Sequence, residues 1–316
     1  MDIHAYNKRS QCMYSKSTEM GSCRVTILLG FIAVLTSHVN VYANNFNILT
    51  EPEQVYQHLE DPSIVIVDVR SPEMYHESHI TGAVSVPVKQ TFAIGNRADL
   101  VASVAELRNL FSSSGIQNES KIVLYGDNKF KDVSRVFWVL EMYGFKYVSV
   151  MNAGFSEWQS MGLPTSNKKT HKPKSTVIPD IKPERFATLL NVLSSLYKDN
   201  HILIDGRPEN EYMGLESKTA VYGHIPGAIN IPSSTNLSVD GTRLIPNQDL
   251  EMLYKDIDKD KFTTVYCNKG KQSAIIYLSL RRLGANVRAY DGSWYEWSLY
   301  PDLPKSTYRE DKPDIM

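Results

Sequence analysis

The chain has only three cysteines in 316 residues, at positions 12, 23 and 267, and no two of them form a Cys-x-x-Cys pair. A disulfide framework and a structural zinc site therefore have no ligand set. An excess of one charge is also missing: 34 Lys and Arg face 35 Asp and Glu, a net charge of −1. A surface for nucleic acid needs a basic surplus that is not there. No apolar run reaches the roughly 20 residues that span a bilayer. The composition, 42% hydrophobic and 22% charged, is that of an ordinary globular protein, which excludes collagen-like, wholly disordered and polytopic membrane readings.

The one apolar run that stands out covers 25–35. Lys8, Arg9, Lys16 and Arg24 precede it and Val41, Tyr42 and Ala43 follow. Basic, then apolar, then small residues is the order of a secretory signal, too short for a spanning helix. The expectation is a signal peptide over 1–43, cut after Ala43, with the protein exported to a periplasm or beyond and not held in the membrane. An uncleaved anchor is the alternative. Cleavage leaves Cys267 as the sole thiol, and a lone thiol in an oxidising compartment calls for a chemical reason.

Three blocks occur twice, about 140 residues apart. Asp68 and Arg70, closing an aliphatic run, recur as Asp205 and Arg207. His79, Ile80, Gly82, Ala83 and Pro87 recur as His224, Ile225, Gly227, Ala228 and Pro232. The block 152–158, ending in Trp158, recurs as 291–297, ending in Trp297. The chain is thus two copies of one domain: 44–162, then a polar, lysine-rich and proline-containing linker over 163–180, then 181–316. Aliphatic runs at 64–67, 122–125 and 147–150, and again at 202–204, 263–266 and 287–290, alternate with segments of helical period such as 183–197 and 272–283. Continuous apolar strands between helices predict an α/β fold with a parallel sheet covered on both faces in each copy.

Cys267 follows the strand at 263–266 and opens the loop Asn268, Lys269, Gly270, Lys271, Gln272 and Ser273, which runs into the helix at 272–283. Ligands of open parallel sheets bind at this carboxyl edge. Backbone N–H groups at a helix start favour an anion, so a thiolate there is the expected reactive form, with Lys269 and Lys271 adding positive field and Gly270 allowing a tight curl. Neither a metal nor a cofactor is expected. His79 and His224 are shared with a copy that has Gly126, not cysteine, after its matching strand, so both read as folding residues; Trp158 and Trp297 read as core aromatics.

These motifs together resemble tandem rhodanese domains, the two-domain sulfurtransferases, over the whole chain after residue 43. The resemblance implies sulfur transfer by double displacement: Cys267 takes a sulfane sulfur from a small donor, holds it as a persulfide and passes it to a thiophilic acceptor such as cyanide or a thiol. It also implies that the first copy is a structural wall, that Arg207 binds the anionic donor with Asp205 in support, and that Lys269 is the retained basic residue of a loop in which Asn268 and Gln272 depart from the family pattern. Members that use mercaptopyruvate carry a small Gly-Ser type loop and an extra arginine, where this chain has Lys269 and Met213. Thiosulfate or a related donor is therefore favoured, with 3-mercaptopyruvate as alternative, and a non-catalytic sulfur carrier or binding module as the alternative of another class. A cysteine phosphatase needs a loop ending in arginine six residues after the cysteine, where Ser273 stands. A monomer is expected.

Overall fold

The computed structural model describes residues 46–95, 97, 99–127 and 130–307. The expected signal segment, with Cys12 and Cys23, lies outside them. Among the described residues no helix is long and apolar enough to cross a membrane.

The first copy runs β1 (Leu49–Thr50), α1 (Pro52–Gln57), β2 (Ile64–Asp68), α2 (Pro72–Glu77), β3 (His79–Ile80), β4 (Val84–Ser85), α3 (Val104–Ser113), β5 (Lys121–Gly126), α4 (Phe130–Tyr143), β6 (Val148–Gly154), α5 (Phe155–Ser160) and β7 (Thr165–Ser166). The second runs β8 (Phe186–Ala187), α6 (Leu189–Ser195), β9 (His201–Asp205), α7 (Glu209–Tyr212), β10 (Ala228–Asn230), α8 (Asn247–Leu253), β11 (Phe262–Tyr266), α9 (Gln272–Arg282), β12 (Val287–Tyr290) and α10 (Ser293–Ser298). The sheets are ordered β1-β6-β5-β2-β4 and β8-β12-β11-β9-β10, and every neighbouring pair is parallel. The orders match strand for strand, and so does the register, with Asp68 opposite Tyr125 and Asp205 opposite Tyr266. The α/β fold read from the sequence is thus built twice.

Local chemistry explains the boundaries. Ser103 caps α3 and Glu106 reaches back to it, a reciprocal pair that satisfies two otherwise orphaned backbone donors and contributes about 1 kcal/mol. Thr188 and Asn191 do the same for α6. The helical period at 183–197 yields a shorter helix, because Phe186 and Ala187 are taken by the sheet, where they pair with Ala289 and Tyr290. The 163–180 segment is laid along the first copy, not free in solvent. Thr165 and Ser166 pair antiparallel with Ile80 and His79, and Ile178 exchanges two hydrogen bonds with Asn118.

α4 is buried nearly all round because it is covered on one side by its own sheet and on the other by α9. Phe137 and Trp138 join Ile275 and Leu278 in one apolar core that runs through both copies, while Trp158 and Trp297 anchor separate cores on the outer faces. Glu141 of α4 accepts from the Tyr277 hydroxyl at 2.7 Å and from Arg281 at 2.9 and 3.0 Å on α9. Two ion pairs tie the copies together in a pseudo-symmetric manner: Arg97 with Glu296, and Arg243 with Glu157. Two backbone donors do likewise, Val101 to Asp291 at 2.7 Å and Leu244 to Asn152 at 2.9 Å.

Candidate active site

The thiol stands at the carboxyl end of β11, the middle strand of its sheet, and is 1% exposed. Its loop is strapped to the β12–α10 turn. The Cys267 N–H donates to Ser293 Oγ at 3.3 Å, and the carbonyls of Cys267 and Asn268 accept from the N–H groups of Trp294 and Tyr295 at 2.9 and 3.1 Å. Ser293 holds φ at +51°, the one described non-glycine residue in left-handed space, a conformation that costs on the order of 1 kcal/mol and persists here because its hydroxyl also donates to Tyr290 O at 2.9 Å. Gly270 turns the loop at φ +76°, and a Cβ there would collide with Nη1 of Arg135. Glycine is favoured at that position for two reasons at once.

Cys267 opens into a cavity of about 830 Å³ between the copies. Five lysines line it: Lys89 and Lys131 from the first copy, and Lys218, Lys269 and Lys271 from the second. Asp99 is the one carboxylate among the lining residues. Lys269 Nζ lies 4.1 Å from the Tyr295 ring centroid, a cation–π placement that leaves its charge toward the cavity. Lys271 is partly neutralised by Asp132 of α4 at 2.8 Å, and Lys218 by Glu211 at 3.0 Å. Asn268 and Gln272 also line the cavity, but Asn268 Nδ2 is bound beneath the loop to the buried carboxylate of Glu211 at 2.7 Å. Ser273 is fully buried and does not line it.

Arg207 lies elsewhere than the sequence suggested. It is 1% exposed, its Nε and Nη2 are spent on Asp205 at 2.6 to 3.0 Å, and Nη2 also donates to Gly223 O at 2.8 Å. It does not line the cavity. Arg70 makes the same bonds to Asp68, and to Ser78 O, in the copy without a cysteine. Arg207 and Asp205 thus form a strand-end pair that the cysteine-free copy also has, and the structure does not bring Arg207 into the lining of the cavity at Cys267. Burial, and the Asp205 carboxylate after it, push the Tyr266 phenol well above its ordinary value, so it stays a neutral hydroxyl that accepts from Ile225 N–H at 3.1 Å. On the neighbouring segment, Glu211, and not the Met213 position, reaches the loop.

His79 and His224 are a matched pair. Each stacks 3.9 Å from a tyrosine, Tyr75 or Tyr212, and bonds that residue's carbonyl through Nδ1. Neither lines the cavity. Trp158 and Trp297 each donate from Nε1 to a proline carbonyl, Pro164 or Pro304, at 3.0 and 2.9 Å.

Arg135 is the residue sequence reading missed most completely. It comes from α4 of the first copy, is fully buried between Phe92 and Trp138, and donates from Nη1 to Asp291 at 3.1 Å and to Gly270 O at 3.4 Å. Its Nε and Nη2 have no hydrogen-bond partner among the described residues. Burial pushes the Asp291 carboxyl up from its usual value, and the Arg135 cation opposes that shift. The guanidinium so buttresses the nucleophile's loop from below. Asp291 sits in a block the repeat had singled out, but no spacing in the chain links it to a residue 156 positions earlier. Among the described residues no group of three or more His, Cys, Asp or Glu is arranged to hold a metal.

A paired parallel-sheet fold with one thiol at a helix-closing loop defines the class, and comparison with known proteins places the chain in it. The Rhodanese-like domain family matches residues 51–161 and 189–300. The chain belongs to that family, with two of its domains in tandem. It is 30% identical over 274 residues to a putative thiosulfate sulfurtransferase of Mycobacterium tuberculosis, covering 82% of this chain and 97% of that one. It is also 30% identical over 275 residues to the sulfur carrier protein TtuD of Thermus thermophilus, covering 81% and 95%. Among solved structures, the 3-mercaptopyruvate sulfurtransferase SseA of Escherichia coli aligns with a TM-score of 0.70 at 23% identity, covering 78% of this chain and 99% of that one.

Proposed function

We propose that the protein is a sulfurtransferase that works through a Cys267 persulfide and takes its sulfur from thiosulfate or a related small anionic donor. One observation carries the reading: the second copy's thiol, at a strand end in a glycine-turned loop that starts a helix, opens into a cavity lined by five lysines. In the first half-reaction the Cys267 thiolate attacks the outer sulfur of thiosulfate, the S–S bond of the donor breaks, and sulfite leaves with the electron pair. In the second, a nucleophile such as cyanide attacks the outer sulfur of the persulfide and the Cys267 thiolate is released. Each step is a displacement at sulfur and consumes neither oxidant nor reductant. The N–H groups of Asn268, Lys269, Gly270 and Lys271 make no hydrogen bond to a described protein atom. They and the α9 dipole suit an anionic sulfur in both states.

Intact mass of the purified protein before and after thiosulfate, 3-mercaptopyruvate and cyanide tests this, with Cys267→Ser as control. Gain of one sulfur from thiosulfate, lost to cyanide and absent in the variant, is the expected result. Charging by mercaptopyruvate alone reassigns the donor, and charging by neither leaves a carrier or binding role. We also propose that the protein is exported, on the basic, apolar, small-residue order of 1–43; the N-terminus of the secreted chain should then be Asn44.

A further inference from the structure

The first copy has no nucleophile, yet it keeps a chamber where the nucleophile would act. This second cavity, of about 960 Å³, is bordered by Gly126, which follows Tyr125 as Cys267 follows Tyr266. It is larger than the cavity at Cys267, and the two adjoin at Lys89, Phe92 and Ile94, which line both; Ile94 is 88% exposed. Their linings differ in sign. The first-copy chamber is lined by the carboxylates of Glu73, Glu106, Asp127 and Asp132 and by apolar residues that include Leu110, against two cations, Lys89 and Arg70; Arg70 is already bound by Asp68, as Asp132 is by Lys271.

We propose that this chamber is the acceptor site, and that the acceptor is a thiol with an apolar stem of several carbons carrying a cationic group at its far end. The inference rests on the persulfide reading above and adds the acceptor class to it. A double displacement uses one sulfur position twice, so donor and acceptor sulfur both meet Cys267. The remainder of a larger acceptor must lie in an adjoining space. The lysine-lined side suits a compact dianion and repels a cation, whereas the chamber adjoining it at Phe92 and Ile94 offers apolar burial together with carboxylates. In the transfer the acceptor thiolate attacks the outer sulfur of the Cys267 persulfide and the bond from that sulfur to Sγ breaks. The Cys267 thiolate leaves with the electron pair, and the acceptor departs as a hydropersulfide. The thiol's proton goes to solvent.

The test separates the two half-reactions. Protein charged with thiosulfate and freed of excess donor is mixed with aminooctanethiol, mercaptooctanoate or cyanide, and persulfide decay is followed by intact mass. Aminooctanethiol should discharge it about tenfold faster than mercaptooctanoate, because the two differ only in the charge that reaches the chamber. Glu73→Lys, a surface change, and Met74→Trp, which adds bulk to the chamber's lining, should each lower the ratio of the aminothiol rate to the cyanide rate several-fold. Equal rates for the two thiols, or a ratio that both variants leave untouched, overturn the acceptor site while the persulfide cycle stands. If no donor charges Cys267 at all, the sulfurtransferase reading falls and the acceptor site with it.

Discussion

The two copies share a sheet order, a strand-end Asp–Arg pair, a stacked His–Tyr pair and a tryptophan held by a proline carbonyl. They part at the carboxyl edge of the sheet. There one has Gly126 beside carboxylates and the other Cys267 beside lysines. Whatever recurs in both belongs to folding, and chemistry is to be sought in what one copy has alone. That rule gives the experiments their order.

The largest effect should come from moving the nucleophile. Cys267→Ser should lose turnover by at least about a thousandfold, the scale of removing an attacking group. Adding Gly126→Cys should not restore it, because the cavity at the first copy's edge has one lysine, Lys89, where that at Cys267 has five. Appearance of a persulfide on residue 126 by intact mass would show that sheet geometry alone is enough.

Arg70→Ala and Arg207→Ala should each cost about 3–5 kcal/mol in denaturant unfolding, since each leaves a buried carboxylate without its partner. Similar losses in the two copies are the expected outcome. A well-folded Arg207→Ala protein with a raised KM for thiosulfate would return that arginine to the substrate. Asp291→Asn, which copies Asn152 at the matched position, should cost a comparable amount by stranding the Arg135 cation. It should also slow alkylation of Cys267, because the loop above Gly270 loses its support.

The fold was legible because buried parallel strands spell continuous aliphatic runs and because the repeat spells them twice. The nucleophile was legible from its own neighbours, with the strand, thiol, glycine and helix contiguous in the chain. The place of Arg207 in a strand-end pair had its signal in the chain: Arg70 occupies the same place in a copy without a thiol, the reasoning that assigned His79 and His224 to folding. Arg135, Lys89, Lys131 and Glu211 had no such signal. They reach the site across the interface between copies or from another segment, and their partners lie far off in sequence.

Smaller effects should separate the lysines. Lys269→Ala, whose ammonium lies over Tyr295 and makes no ion pair among the described residues, should raise KM for thiosulfate several-fold, an effect that shrinks with added salt. Lys271→Ala should do less, since Asp132 already offsets that charge. Steady-state kinetics at two ionic strengths reads both. Equal effects would mean that the Asp132 pair opens when the donor binds.

The smallest effect concerns a difference far from the chemistry. At the sheet position of Ile64 the second copy has His201, paired to Phe262 as Ile64 is to Lys121. Burial first, then the Arg288 cation, lowers its pKa to about 4, and its Nε2 lies 2.7 Å from Thr264 Oγ1. The unfolded chain binds the proton at an ordinary value near 6.5, so between about 6.5 and 4 unfolding takes up a proton that the native state refuses. Stability must therefore fall as pH drops through that window, and this group's share must level off below about 4. His201→Ile, which restores the residue of the first copy, should flatten the difference across the window, at the expense of a hydroxyl that keeps only Arg288 at 2.9 Å. Denaturant unfolding of both proteins from pH 7 to pH 4 measures it. A difference between the two proteins that is constant over that range would mean that His201 titrates alike in both states, and that the second copy's acid sensitivity lies with its carboxylates.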